Sequence, residues 1–169
     1  MVRAILKYGA PELVTVSKPV ERFDGQLKKL AQDMLETMYA APGIGLAAPQ
    51  LGENVRLLVT DVSGGQESGN QVVLANPEIL LSEGSQKGEE GCLSIPEFTA
   101  MVERPFRVKV RGFDLEGDEV ELDCTELQTR VLCHEIDHLD GILFLDRISR
   151  LKRDLIKRKI RKLMKTGRW

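Results

Sequence analysis

His134-Glu135-Ile136-Asp137-His138 constrains this chain more than any other stretch. Residues four apart on a helix stand one turn above each other on the same face. Two imidazoles at that spacing can reach a single metal ion while the backbone stays regular. Glu135, next to the first of them, can then take a proton from a water held on the ion, as in helical H-E-x-x-H metallohydrolases. These are also the only two histidines among 169 residues. The fold must therefore hold a helix with its ligand face inward and supply any further ligand from another part of the chain.

A chain of this length predicts one domain spanning residues 1–169, long enough to bury a proper core. Its 42% hydrophobic and 30% charged shares are those of an ordinary soluble globular protein. No apolar run approaches the length of a bilayer span, and the first residues lack the pattern of a secretion signal. The expectation is a cytoplasmic protein. Three cysteines, Cys92, Cys124 and Cys133, are too few and odd in number for a disulfide framework, so each is core filler or chemistry. The net charge of −2 hides an asymmetry. From Arg147 to Trp169 there are eleven Lys/Arg and one acid, Asp154. An acidic body thus carries a strongly basic end.

Along the chain, Leu27, Leu30, Ala31, Met34, Leu35 and Met38 recur at three- and four-residue steps. They predict an amphipathic helix with Asp24 as N-cap and Pro42-Gly43 as its close. The small residues of Gly43-Ile44-Gly45-Leu46-Ala47-Ala48-Pro49-Gln50 then leave room for a close backbone approach, beside which Gln50 offers an amide. Taken alone, this stretch is a tight connection from helix to strand. Residues 55–62, 72–75, 79–81, 98–102, 108–113 and 120–122 read as strands, with Asn76-Pro77 separating the second and third. Alternation in Val108-Lys109-Val110-Arg111 points to antiparallel pairing with one wet face. Residues 83–88 read as a polar loop, and Cys92 sits in a glycine-flanked loop of its own.

Thr125-Glu126-Leu127-Gln128 fits a capping box that opens the ligand helix, with Leu127, Val131, His134 and His138 on one face and Gly141 as its stop. A last helix begins near Ser149, with Leu151, Leu155, Ile160 and Leu163 inward and Lys/Arg outward. The predicted class is α+β: antiparallel or mixed β-sheets packed around a central H-E-x-x-H helix, with an N-terminal helix and a basic C-terminal helix.

A catalytic site of zinc type has three protein ligands and an open position. Two familiar protease schemes fail here: no Glu follows Glu135, and the position that would carry a third His is Phe144. Asp140, Asp146 and Asp154 remain as carboxylate alternatives. Cys133 would point about 100° away from His134, and Cys124 lies before the helix, far from His138. Cys92 is the favoured third ligand. On the residues alone, a protease acting on ordinary amides and a non-catalytic metal site both stay open.

Three stretches together narrow the choice. Gly43–Gln50, then Glu90-Gly91-Cys92-Leu93-Ser94, then His134–His138, in this order and spacing, closely resemble peptide deformylase over essentially the whole chain. The departures are Cys133, where the family usually has Gln, and Arg130, where many members carry an apolar residue. The resemblance implies a hydrolase that removes the N-formyl group from the formylmethionine of new polypeptides and releases formate. It implies Cys92, His134 and His138 as metal ligands and Glu135 as the proton carrier. The Gln50 amide and the Leu93 backbone N–H would be the oxyanion donors. By the same resemblance, Ile44, Gly45 and Gly91 would bind the peptide main chain. Leu127, Val131 and the stem of Arg130 would meet the methionine side chain. It further implies Fe²⁺, replaceable by zinc, nickel or cobalt, and a basic terminal helix that contacts the ribosome.

Overall fold

A computed structural model of the chain describes residues 1–169. Helix α1 (Gly25–Ala40) opens on Asp24, whose carboxylate accepts the backbone N–H groups of Gln26 and Leu27. Its stripe of Leu27, Ala31, Met34 and Met38 is buried, and full burial of each large apolar side chain is worth about 1.5–3 kcal/mol.

Seven strands follow, β1 (Gly45–Ala47), β2 (Leu57–Asp61), β3 (Gln71–Glu83), β4 (Gln86–Cys92), β5 (Ile95–Arg104), β6 (Arg107–Phe113) and β7 (Glu119–Thr125). Five form one sheet in the order β1-β2-β3-β6-β7, and β4 with β5 forms a separate hairpin. Every strand pair is antiparallel. Helix α2 (Glu126–Leu139) carries the H-E-x-x-H motif, and α3 (Arg150–Lys165) is the basic helix. The α+β reading therefore holds.

Five local expectations need correction, the first being that residues 83–88 are no single polar loop but the end of β3, a two-residue turn and the start of β4. Residues 72–75 and 79–81 belong to one strand, because Asn76-Pro77 sits in a bulge between register positions Ala75 and Glu78. Asn76 takes φ +49° there and spends its side-chain amide on the N–H and C=O of Val20. Cys92 is the last residue of β4, not a loop residue, and pairs with Ile95 across a two-residue turn. The capping box does not form: Thr125 ends β7 and makes no side-chain cap bond. Glu126 turns through φ +54° and sends its N–H to Phe106 O instead. On α3, Leu151 and Leu155 are exposed, and the buried stripe runs through Ile160, with Ile156 packed beside it.

Helix α2 is buried from Thr129 to Leu139 because it is clasped from two sides. Leu132, Cys133, Ile136 and Leu139 pack on Ala47, Leu58, Leu74, Val108 and Val110 of the five-stranded sheet. Its opposite side meets the β4–β5 hairpin through ion pairs and hydrogen bonds. Gly141 stops the helix at φ +73°. The N-terminal segment then ties the parts together: Leu6 N–H donates to Gln50 O and Tyr8 N–H to Ser94 O, both at 2.8 Å.

Candidate active site

Cys92, His134 and His138 are brought together as expected. Their candidate ligand atoms all lie within 4.8 Å of one another, and Cys92 Sγ is 3.4 Å from His138 Nε2. The hairpin end supplies the sulfur and α2 the two rings, which approach edge to face at 5.0 Å between centroids. One thiolate and two imidazoles converging at the wall of a cleft fit a divalent cation with an open coordination position.

The remote side of His134 is fixed. Its Nδ1 lies 2.9 Å from Glu90 Oε1, which leaves Nε2 as the candidate ligand atom. Glu90 also accepts from Arg104 Nε and Nη2 and from Arg130 Nη1 at 2.7 Å. Arg104 reaches on to Asp137 at 2.6 Å, and Arg147 pairs with the same carboxylate. Burial by itself would raise Glu90, but the hydrogen bonds with His134 and Arg104 hold it down at about 2. Burial likewise pushes His134 downward, yet Cys92 and Glu90 keep it well above its ordinary value. For His138 burial wins and keeps the ring neutral. Removing one partner from such a buried ionic network costs about 3–5 kcal/mol.

Glu135 lines the cleft with a buried Oε2 that has no partner. Burial pushes its carboxyl up to about 7, the range in which a carboxylate can both accept and return a proton near neutrality. Gln50, almost fully buried in a turn after β1, has a fixed orientation. Its Oε1 accepts Ala47 N–H at 2.9 Å, so Nε2 faces Ser94 Oγ at 3.1 Å and Cys92 Sγ at 3.8 Å.

The cleft, of about 680 Å³, is lined by every expected substrate contact: Ile44, Gly45, Gly91, Leu127, Arg130 and Val131. Gln50, Leu93, Cys92, His134 and Glu135 line it too, while the buried His138 does not. Arg130 is buried, and its charged head is engaged by Glu90 and by the carbonyls of Val102 and Gly88. A groove of about 730 Å³ between Arg3, Lys18 and α1 lies apart from the histidines. Its Arg3 and Lys29 are already paired with Glu53 and Asp33, and no ligands converge there. Cys124 and Cys133 are buried among apolar side chains. Burial pushes the Cys133 thiol up to about 11, which suits packing rather than ligation.

The family model described as polypeptide deformylase matches residues 2–154. The chain belongs to that family. A peptide deformylase of Acidobacterium capsulatum is 50% identical over 169 residues, covering 100% of this chain and 99% of its own. The solved peptide deformylase of Legionella pneumophila superposes with a TM-score of 0.91 at 42% identity, covering 99% and 98% of the two chains. That of Thermus thermophilus gives 0.89 at 44%, covering 96% and 95%. Deformylases are metal-dependent hydrolases that remove the N-formyl group from new polypeptides, and this chain is one of them.

Sequence alone assigns no role to five side chains that surround the candidate site, Glu90, Arg104, Asp137, Arg147 and Ser94. Two of them do carry a signal: Glu90 stands two residues before the candidate ligand Cys92, and Asp137 lies between the two histidines. Arg104, at the far end of β5, had no local signal at all.

Proposed function

We propose that Cys92, His134 and His138 hold one divalent cation, Fe²⁺, which zinc, nickel or cobalt can replace, in a single catalytic domain spanning residues 1–169. The convergence of these three ligand atoms within 4.8 Å, beside a cleft that also contains Glu135, carries this reading. The choice of iron rests on the family resemblance, since a His₂Cys set by its softness suits zinc as well. When bound, the cation supplies Lewis acidity, which brings the pKa of a coordinated water down to about 7.

The chain's own groups do the rest. Ile44, Gly45 and Gly91 hold the peptide backbone of a formylmethionyl chain, and Leu127, Val131 and the Arg130 stem receive the methionine side chain. Glu135 accepts the proton of the attacking water. As charge develops on the formyl oxygen, Gln50 Nε2 and the Leu93 backbone N–H donate to it; such fixed donors are worth about 3–4 kcal/mol each. Glu135 then returns its proton to the leaving amine nitrogen, and formate departs. The pinned Gln50 amide and the cleft-facing, buried Glu135 support these roles. The helix α3 docks on ribosomal RNA through its basic face, and the protein works in the cytoplasm of a bacterial-type cell. No helix is long and apolar enough to cross a membrane.

Protein purified without air should carry about one equivalent of iron and release formate from a formyl-Met peptide without internal cleavage. Glu135→Ala should keep the metal and lose about 10²–10⁴-fold in kcat. Internal cleavage without formate would reveal a protease, and full activity in Glu135→Ala would remove the proton carrier from the scheme.

A further inference from the structure

We propose that Arg130 is a positioning residue of the metal centre, acting through Glu90 on His134. The assignment rests on Cys92, His134 and His138 being the ligands, and it goes beyond the contact between the Arg130 stem and substrate.

The argument begins with a match of repeats. Arg130, His134 and His138 follow one another at four-residue steps on α2, a rise of about 6 Å each. Gly88, Glu90 and Cys92 follow at two-residue steps on one side of β4, a rise of about 6.8 Å each. The two series face each other rung by rung. Cys92 meets His138 at 3.4 Å, Glu90 meets His134 at 2.9 Å, and the Arg130 head lies over Gly88. The first two rungs hold the ligands. The third has the same construction without being a ligand, which points to a role in aligning helix and strand.

Its chemistry agrees. Arg130 Nη1 donates to Glu90 Oε2 at 2.7 Å, to Val102 O at 3.0 Å and to Gly88 O at 3.3 Å. Gly88 and Val102 are register partners across the hairpin, so one guanidinium ties β4, β5 and α2 together. Arg130 shares Oε2 with Arg104 Nε and makes the shorter contact, at 2.7 Å against 3.0 Å, so the carboxylate is gripped from two sides with Oε1 facing His134 Nδ1 and Arg104 Nη2. A carboxylate oriented in this way sets the ring angle and keeps Nε2 free for the metal. Gly88 completes the arrangement. A Cβ there would stand 2.9 Å from both Cζ and Nη2 of Arg130 and 3.1 Å from Nε, so only glycine leaves the guanidinium its seat.

Cobalt uptake tests this, read by competition with a chelator and by the visible absorption of bound Co²⁺. Arg130→Leu should weaken Co²⁺ binding about 10–100-fold, the usual cost of losing an outer partner of a ligand, and should shift the absorption bands. Arg130→Lys should recover much of both. Gly88→Ala, which displaces the head without altering Arg130, should move affinity and spectrum in the same direction, and it carries the test if Arg130→Leu does not fold. In a Glu90→Gln background, Arg130→Leu should cause little further loss. Wild-type affinity and spectrum in Arg130→Leu or Gly88→Ala would overturn the proposal, as would a full additional loss on top of Glu90→Gln. Failure of the unaltered protein to take up one Co²⁺ would instead overturn the ligand assignment on which it rests.

Discussion

Gly45 shows how closely the reacting groups are set. A Cβ at this position would lie 2.5 Å from Glu135 Oε1 and 2.9 Å from a methyl of Val131. Its backbone is ordinary strand, so the requirement for glycine comes from space. Gly45→Ala should push the Glu135 carboxylate aside while the fold survives, because the atom met first ends a flexible side chain and the second contact is a single Val131 methyl. A misplacement of about 1 Å can cost about 10²-fold, so kcat/KM on a formyl-Met peptide should fall by that order while Tm and metal content barely move. A drop in Tm matching the activity loss would refute this account. The same neighbourhood shows which residues could be read from sequence. His134, Glu135, His138 and the small residues of 43–48 stand out because their spacing is local, whereas Cys92 emerges only by elimination and resemblance. Glu90, Arg104 and Asp137 escape because their partners are 14 and 33 residues away, and only the folded hairpin shows a charged side chain to be buried.

The lengths of α1 and α3 show in the sequence where the extents of β3 and β4 do not, for a related reason. The helix α1 announces itself through Asp24 and its apolar period, and α3 through Ser149, whose hydroxyl accepts the Lys152 N–H. The continuity of β3 depends on Val20 and Arg56, which satisfy Asn76 from far away in the chain. The start of β4, within residues 83–88, reads as a polar loop because the strand's inner side faces Arg104, Arg130 and histidine rather than apolar residues. The end of α2 was foreseen as a glycine stop, and the structure adds a second constraint. Besides φ +73°, a Cβ at Gly141 would sit 2.9 Å from the backbone of Val14. Backbone cannot yield as a side chain can. Gly141→Ala should therefore lose about 2–3 kcal/mol and lower Tm by about 5–10 °C, since the left-handed conformation costs an L-residue about 1–2 kcal/mol before the clash is added. Thermal denaturation checks it. An unchanged Tm would mean that α2 can end without this turn.

The charge distribution divides the molecule into an acidic body that holds the cleft and a strongly basic last helix. Of α3, only Ile160 is fully buried, and Arg158, Arg161 and Lys162 are exposed, with Lys157 half-buried beside them. The family match ends at residue 154, near the start of this helix, so its basic length is not part of what defines the catalytic body. A solvated face would need no such excess of eleven bases over one acid, whereas contact with a phosphate backbone would use it. Counterion release makes the idea quantitative. Each phosphate contact contributes about 0.7–0.9 to the slope of log K against log salt. Reversing Lys157, Arg158, Arg161 and Lys162 to Glu should flatten that slope by about 3 or more and reduce ribosome co-sedimentation at least tenfold at low salt. Turnover of a short formyl-Met peptide should stay at the level of the unaltered enzyme, because none of the four lines the cleft. Binding that persists at low salt would show that α3 is an ordinary solvated helix and that docking, if it occurs, uses another face.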